Sequence, residues 1–537
     1  MSKTPSHAAP VTDDPSAASA ASGDAEAPIP HRKILQTLSG LLLGLFVATV
    51  SSTIVSTALP TILADIGGGQ NAYTWVVTAP LLALTASTPI WGKLSDLMSK
   101  KFLVQFALVL YIVSSVVAGL AQDAGTLIAC RAVQGIGAGG LTALAQIIMA
   151  AMVPPRQRGR YSGYLGAAYA LATVGGPLIG GVITDVSWLG WRWCFYAVIP
   201  FALIAMAVLH RTIDLPVVRA GARVDWLGAV LVTAFACLLM VWITLAGAQY
   251  DWLSWQSAVM VPGAIVLGLL FVLAESRASA PLVPLRLFRN ATITLSSLAG
   301  LFVGVAMFAG TIFMSQYFQL SEGRTPTMAG LMTTPLVGGL LVASMLSGRI
   351  ITRTGKWKMS LVVGGVFLTA GALLLGTLRT GTPYGQSALI MIVFGVGVGL
   401  LFQNLVLAVQ NQVSAGDLGS ASSLVSFFRS LGGALGLSAL GALLGSRVAH
   451  FEATGFASFG DAPSSGGSGI PRLASLPAPV REVIETAYGH GIGDVFLGVA
   501  PCSLLALVLI LFIRETPLRS SNAEVPADVP APRADPS

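Results

Sequence analysis

Apolar runs of about 20 residues, the length at which a helix spans roughly 30 Å of hydrocarbon, recur from Ile34 to Ile513 between short polar segments. Fourteen such runs can be placed, and their length predicts helices rather than strands. One of them, from Tyr161 to Ile183, contains Val174-Gly175-Gly176-Pro177-Leu178-Ile179-Gly180-Gly181. Glycine and proline weaken a helix in water. They are tolerated in a membrane, where neighbouring helices re-satisfy freed carbonyls and small residues let backbones approach. The stretch therefore predicts a kinked, closely packed transmembrane helix.

Composition agrees with a polytopic membrane protein: the chain is 54% hydrophobic and 10% charged, against roughly 25% charged in a soluble domain. Orientation follows from lysine and arginine, which favour cytoplasmic loops. With the amino terminus inside, only Arg192, Arg324, Arg379, Arg447, Arg472 and Arg481 fall on the outer side. Both termini are expected in the cytoplasm, and the net charge of +7 needs no nucleic-acid partner. Cys130, Cys194, Cys237 and Cys502 lack a C-x-x-C spacing, so neither a zinc site nor a disulfide framework is expected.

The runs group into a disordered cytoplasmic tail at 1–33, six helices over 34–209, cytoplasmic linkers with two additional helices over 210–290, six helices over 291–513 and a second disordered tail at 514–537. A long outer loop, 446–490, interrupts the last group and carries an amphipathic segment near Pro479 to Tyr488.

Polar residues inside these runs are the candidate site. Thr49, Ser52, Thr53 and Ser56 share one helical face, which leaves two roles open: facing an interior cavity, or bonding their own carbonyls. Arg131 lies in hydrocarbon with Gln134 and Gln146 on the same helix, and such a cation is a functional candidate by default. Phe313, Gln316 and Tyr317 at the end of the ninth run, Gln403 and Asn404 in the twelfth, and Arg429 in the thirteenth suit a cavity for an amphipathic organic substrate. Amides also serve as interhelical glue, and Arg429 is close enough to the cytoplasmic end to snorkel.

Four segments resemble the major facilitator superfamily. Gly92 to Lys101 is similar to its loop signature G-x-L-a-D-r-x-G-r-k, matching at Gly92, Leu94, Asp96, Lys100 and Lys101 and departing at Leu97 and Ser99. Arg131 to Gly137 resembles R-x-x-q-G-x-g, in which the arginine is linked to proton handling. Gly176, Pro177, Gly180 and Gly181 resemble the G-P-x-x-G-G of antiporter members. Val50 to Pro60 resembles the first-helix signature of the fourteen-helix drug:proton antiporters, L-D-x-T-I-V-x-x-A-L-P, with Ser51 in place of the acid. A second, weaker copy of the loop signature, Gly348 to Lys356, has Thr352 where the first has Asp96.

The resemblance implies an all-α integral membrane protein of the major facilitator fold, two six-helix bundles plus two extra central helices, in the plasma or inner membrane. It implies export of hydrophobic or amphipathic drugs and antibiotics by alternating access, driven by the proton motive force, with no cofactor, no metal and no enzymatic activity, by a monomer. An ion-pair latch is expected from Gly92, Asp96, Lys100 and Lys101. With no carboxylate deep in a run, proton coupling is assigned to Arg131, Asp494 and Asp65. The alternatives are a lipid or glycolipid exporter of the same fold, or a membrane sensor that transports nothing.

Overall fold

The computed structural model describes residues 31–66, 70–186, 190–215, 225–246, 250–278, 281–456 and 477–519. The described chain is helical: α1 (His31–Ile66), α2 (Gln70–Leu97), α3 (Lys100–Gly119), α4 (Ala124–Met152), α5 (Pro155–Asp185) and α6 (Trp193–Thr212) form the first group. Next come α7 (Trp226–Leu245) and α8 (Trp255–Arg277). The last group is α9 (Ala291–Gln316), α10 (Thr334–Thr354), α11 (Lys358–Leu375), α12 (Tyr384–Gln410), α13 (Leu418–Phe456) and α14 (Ala478–Phe512). Among the described residues, twelve helices are long and apolar enough to cross a membrane; α2 and α5 are not among them. Both carry features costly in lipid: Pro80, Pro89, Lys93 and Asp96 in α2, and Arg156, Arg158 and Arg160 in α5.

Helices suit this chain because hydrocarbon offers no partner for a backbone N–H or C=O, and a helix satisfies both internally. The outer surface is correspondingly apolar, with Leu269, Val272 and Leu273 of α8 and Val342 and Leu346 of α10 exposed. Two buried apolar clusters divide the molecule. One is built from α1 to α6; the other is built from α9 to α14 with α7, and it takes in Leu82, Ala150 and Ala170 of the first half. In the first half α1 packs on α5 and α6, and α2 and α3 pack on α4; in the second, α9 packs on α13, α10 on α12, and α11 on α12 and α14. The halves meet along two seams, α2 against α13 and α5 against α10, while α7 lies beside α2 and α13 and carries α8 on its outside. The additional pair is thus central in sequence and peripheral in space.

Three boundaries differ from the sequence reading. Helix α13 runs on to Phe456 and α14 begins at Ala478, so most of the expected loop 446–490 is helix, including the amphipathic segment near Pro479. The Gly- and Ser-rich remainder, 457–476, lies outside the described residues, as do 1–30 and 520–537. Helix α1 starts at His31, three residues before the expected Ile34, and His31 Nδ1 is 2.6 Å from the Tyr161 hydroxyl. The segment 514–519, expected in a disordered tail, is packed. Glu515 Oε1 accepts from the Trp357 and Lys358 amides at 2.9 and 3.1 Å, Thr516 O accepts from Trp357 Nε1, and the Arg519 guanidinium donates to the Gln410 and Val413 carbonyls. Polar side chains hold this strand because it supplies the partners that helix termini otherwise lack. His31 and Arg519 lie at one end of the bundle, the terminal face.

Close backbone packing predicts where bulk is excluded. A Cβ on Gly432 would meet the Leu301 carbonyl of α9, whereas nothing lies within 4 Å of one on Gly441. Gly432→Leu is expected to lower the thermal unfolding midpoint of purified protein clearly, since overpacking costs about 1–3 kcal/mol. Gly441→Leu is expected to leave it within error.

Candidate functional site: the seams between the halves

At the terminal face, α2 and α13 meet through small residues. A Cβ on Gly92 would collide with Ser423, and one on Gly419 with the Gly92 carbonyl and with Ser95 and Asp96. This proximity lets Asp96 cap the start of α13: Oδ1 accepts from the Gly419 amide at 2.8 Å, and Oδ2 accepts from the Ser420 amide at 3.0 Å and the Ser420 hydroxyl at 2.9 Å. A carboxylate is well placed there, because the first amides of a helix are unpaired and carry the positive end of its dipole. Arg286 reinforces the same terminus, with Nη2 2.8 Å from both oxygens of Asp417.

The contact differs from the expected ion-pair latch. Asp96 binds a helix terminus in the other half rather than forming a contact ion pair with Lys100 or Lys101; Lys100 is buried nearby and Lys101 half-buried. The second seam repeats the construction. Gly159 of α5 lies against Gly348 of α10, and Gly163 and Gly166 against Met345 and Ser344. Between the seams, Ser426 donates to Gln146 Oε1 at 3.2 Å, so Gln146 bridges the two halves.

Arg158 is fully buried in this interface. It donates to the Val153 carbonyl at 2.8 Å, the Ala150 carbonyl at 2.6 Å and Gln410 Oε1 of the other half at 3.4 Å. The detectable signal is spacing: Arg158 shares a helical face with Ser162 and Leu165, both buried, while Arg156 and Arg160 point elsewhere. Further along α5, the Tyr169 ring lies 5.5 Å from that of Phe402, and the Arg429 guanidinium stacks on the other ring at 4.2 Å. Arg429 also donates to the Phe402 carbonyl at 3.3 Å. This stack joins the halves and makes Tyr169 and Phe402 site residues that the sequence reading missed.

Arg131 belongs to a separate buried cluster inside the first half. Nη1 donates to Gln134 Oε1 at 3.0 Å and Nε to the Val76 carbonyl at 3.4 Å; Gln134 Nε2 donates to the Ser115 hydroxyl at 2.8 Å. Ser51 is wholly buried beside the Tyr111 hydroxyl. Among the described residues no carboxylate pairs with Arg131 or Arg429. An unpaired buried guanidinium is costly, and neutral carbonyls, amides and an aromatic face only partly offset it.

The remaining expected residues are distributed differently. Ser52 and Ser56 are exposed on α1, and Ser56 donates to the Ser52 carbonyl, while Thr49 and Thr53 bond backward along the same helix. Gly176 makes the close helix contact that its motif predicts, with Thr53 where a Cβ would stand; Gly180 is buried, and the surroundings of Pro177 and Gly181 lie outside the described residues. Phe313 and Tyr317 are core residues of the second half rather than cavity residues. Tyr317 is enclosed and its hydroxyl donates to the Arg379 carbonyl at 2.8 Å. Gln316 is half-buried, Gln403 sits at a break in α12, and Asn404 is interhelical glue, donating to Ser347 at 3.1 Å.

Both candidate proton carboxylates are paired at the face opposite the termini. Asp65 accepts from Trp191 Nε1 at 2.8 Å and Arg192 Nη1 at 3.3 Å, and its side chain is 55% exposed. The indole N–H, then the guanidinium, hold its carboxyl below the usual value. Asp494 lies 3.3 Å from Arg447 Nε and is 23% exposed. A buried acid also sits at the terminal end of α8, where Glu275 accepts from the Leu282 and Val283 amides at 3.1 and 3.2 Å.

Two helical bundles meeting at paired seams define a multi-pass membrane protein, and comparison with known proteins identifies its family. Residues 41–437 match the family model described as Major Facilitator Superfamily. The chain belongs to that superfamily of membrane transporters. It is 35% identical over 494 residues to an uncharacterized MFS-type transporter of Mycobacterium tuberculosis (strain ATCC 25618 / H37Rv), covering 91% of this chain and 70% of that one. It is 33% identical to the multidrug transporter protein MdtP of Bacillus subtilis (strain 168), covering 82% and 78%, and 30% identical to multidrug resistance protein 3 of the same strain, covering 90% and 95%. Among solved structures, the proton:xylose symporter XylE is similar in fold, with a TM-score of 0.59 at 14% identity over 90% of this chain and 97% of that one.

The cap predicts a conformational phenotype. In a background lacking the four native cysteines, a cysteine at Ser426 is expected to react slowly with a water-soluble maleimide. Asp96→Ala, which removes the acceptor for three hydrogen bonds, is expected to raise that rate several-fold. An unchanged rate would mean that the cap does not hold this seam.

Proposed function

We propose that the protein exports hydrophobic or amphipathic small molecules, drugs and antibiotics among them, across the plasma membrane by alternating access in exchange for protons. The observation that carries this reading is the construction of the terminal face. There the halves touch through close glycine contacts and a few side-chain hydrogen bonds, the Asp96 cap foremost among them. Such a contact can open as a unit. The names of the Bacillus relatives support a drug-like cargo.

In this reading the terminal face is cytoplasmic, and α2 and α5 cross the bilayer with the other twelve helices, giving fourteen spans. Lys93, Asp96 and Arg158 are sheltered because these helices face the opposite half. The cargo site lies between the halves, beside the Tyr169–Phe402–Arg429 stack and the exposed hydroxyls of Ser52 and Ser56. An aromatic face and an unpaired guanidinium suit a flat, amphipathic molecule with an electronegative group.

Asp494 is the more sheltered of the two outer carboxylates and the assigned proton carrier. Its exchange between Arg447 and a proton would couple the outer end of α13 to the gradient. Arg131 acts through its buried cluster with Gln134 and Ser115, on the helix that also carries Gln146.

Efflux of a fluorescent cationic dye and of an anionic one from inverted vesicles, with and without a pH gradient, tests the reading. Wild type is expected to respond to the gradient, Asp494→Asn to lose that response, and Arg131→Ala to lose most transport. Asp65→Asn is expected to stay coupled, since an exposed carboxyl held ionised is a poor carrier. Gradient-independent efflux by wild type would overturn proton exchange, and no efflux of any probe would overturn export.

A further inference from the structure

The two seams are related, and one lacks a part. At the α2–α13 seam the chain supplies its own anion, Asp96. At the α5–α10 seam the corresponding position is Thr352, whose hydroxyl donates back to the Gly348 carbonyl of its own helix at 2.8 Å. No side chain caps the first turn of α5. Beside Thr352 a cavity of about 310 Å³ opens at the terminal face, lined by Arg160 and Tyr164 of α5 and Met345, Arg349, Thr352 and Arg353 of α10. Three guanidiniums from two helices thus face one space. Among the described residues no carboxylate forms an ion pair with any of them.

Like charges gathered on two separable bodies push them apart, unless an anion sits between them. The rest of α10 indicates where that anion comes from. Val342 and Leu346 are exposed and lie on the same helical stripe as Arg349 and Arg353. An apolar track therefore leads from the lipid-facing surface to the basic cavity, as a headgroup and its acyl chain would require.

We propose that this cavity binds a phosphate group, carried by an anionic lipid headgroup or free in solution, and that the bound group closes the α5–α10 seam as Asp96 closes the other. The guanidinium forks of Arg349 and Arg353 hold the phosphate from α10, and Arg160 holds it from α5. Because the contacts come from both halves, the site exists only while the terminal face is closed, and occupancy favours that state.

The test is thermal unfolding of the full chain in detergent, titrated separately with short-chain phosphatidylglycerol, phosphatidylcholine and inorganic phosphate. Phosphatidylglycerol is expected to raise the midpoint saturably and phosphatidylcholine to do so weakly. Arg160→Gln and Arg349→Gln are each expected to weaken the half-saturating concentration by about tenfold, which corresponds to one charge-assisted contact. Arg211→Gln, an exposed cation at the end of α6 on the same face, is expected to change nothing. A saturable shift with inorganic phosphate that competes with the lipid supports the site with a soluble source; a shift with the lipid alone supports a headgroup. The proposal is overturned if neither probe shifts the midpoint, if Arg160→Gln and Arg349→Gln behave as wild type, or if Arg211→Gln loses the effect equally. The assay involves no transport, so its failure leaves the export reading standing, and a failure of export leaves this site standing.

Discussion

The structure depends on one carboxylate binding the end of a helix that begins more than three hundred residues later in the chain. Asp96 receives two amides and a hydroxyl from the first turn of α13. A cap of this kind contributes about 1–2 kcal/mol when partly buried, a small term beside two apolar clusters. Its weight comes from its position. It spans the two halves where no other charged side chain completes a cap, and the glycines on either side exclude anything bulkier than hydrogen. Gly92 and Gly419 bring the backbones together, and Asp96 then finds amides where water would otherwise be. A contact that is strong locally and narrow in extent can be made and broken as a unit, which the proposed alternating-access cycle requires.

The buried arginines set the second constraint. Arg131, Arg158 and Arg429 are buried beside carbonyl or amide oxygens or against an aromatic ring. Each costs free energy in the folded state. The three also differ in placement: Arg131 organises the interior of one half, Arg158 joins the halves at the terminal face, and Arg429 stacks where they meet deeper in. A cargo or lipid carrying negative charge relieves such a site without any new protein group. Ser51 and Thr352 are alike in standing where the resembling motif carries an acid.

Much of the fold was legible in the sequence because hydrocarbon allows few solutions. Run length located the helices, and the loop signature picked out Gly92 and Asp96. Partners across the seams were not legible. Asp96 and Ser420, or Tyr169 and Phe402, are distant in sequence, and their meeting depends on how two halves dock. The same reason misplaced Phe313 and Tyr317: an aromatic at a helix end reads alike whether it faces a cavity or a core. Loop 446–490 was misjudged because polar residues beyond the hydrocarbon do not stop a helix, and the tail because Glu515 and Thr516 gain order only from amides on other helices.

The most direct measurement is the distance between spin labels at Gln157 of α5 and Lys356 beyond α10, exposed positions on the two helices of the α5–α10 seam. If the cap and the glycine contacts govern a moving seam, wild type in detergent gives a dominant short distance. Asp96→Asn should then add a second, longer population without lowering expression. A single distance distribution, identical in wild type and Asp96→Asn with and without a transported dye, would contradict the account.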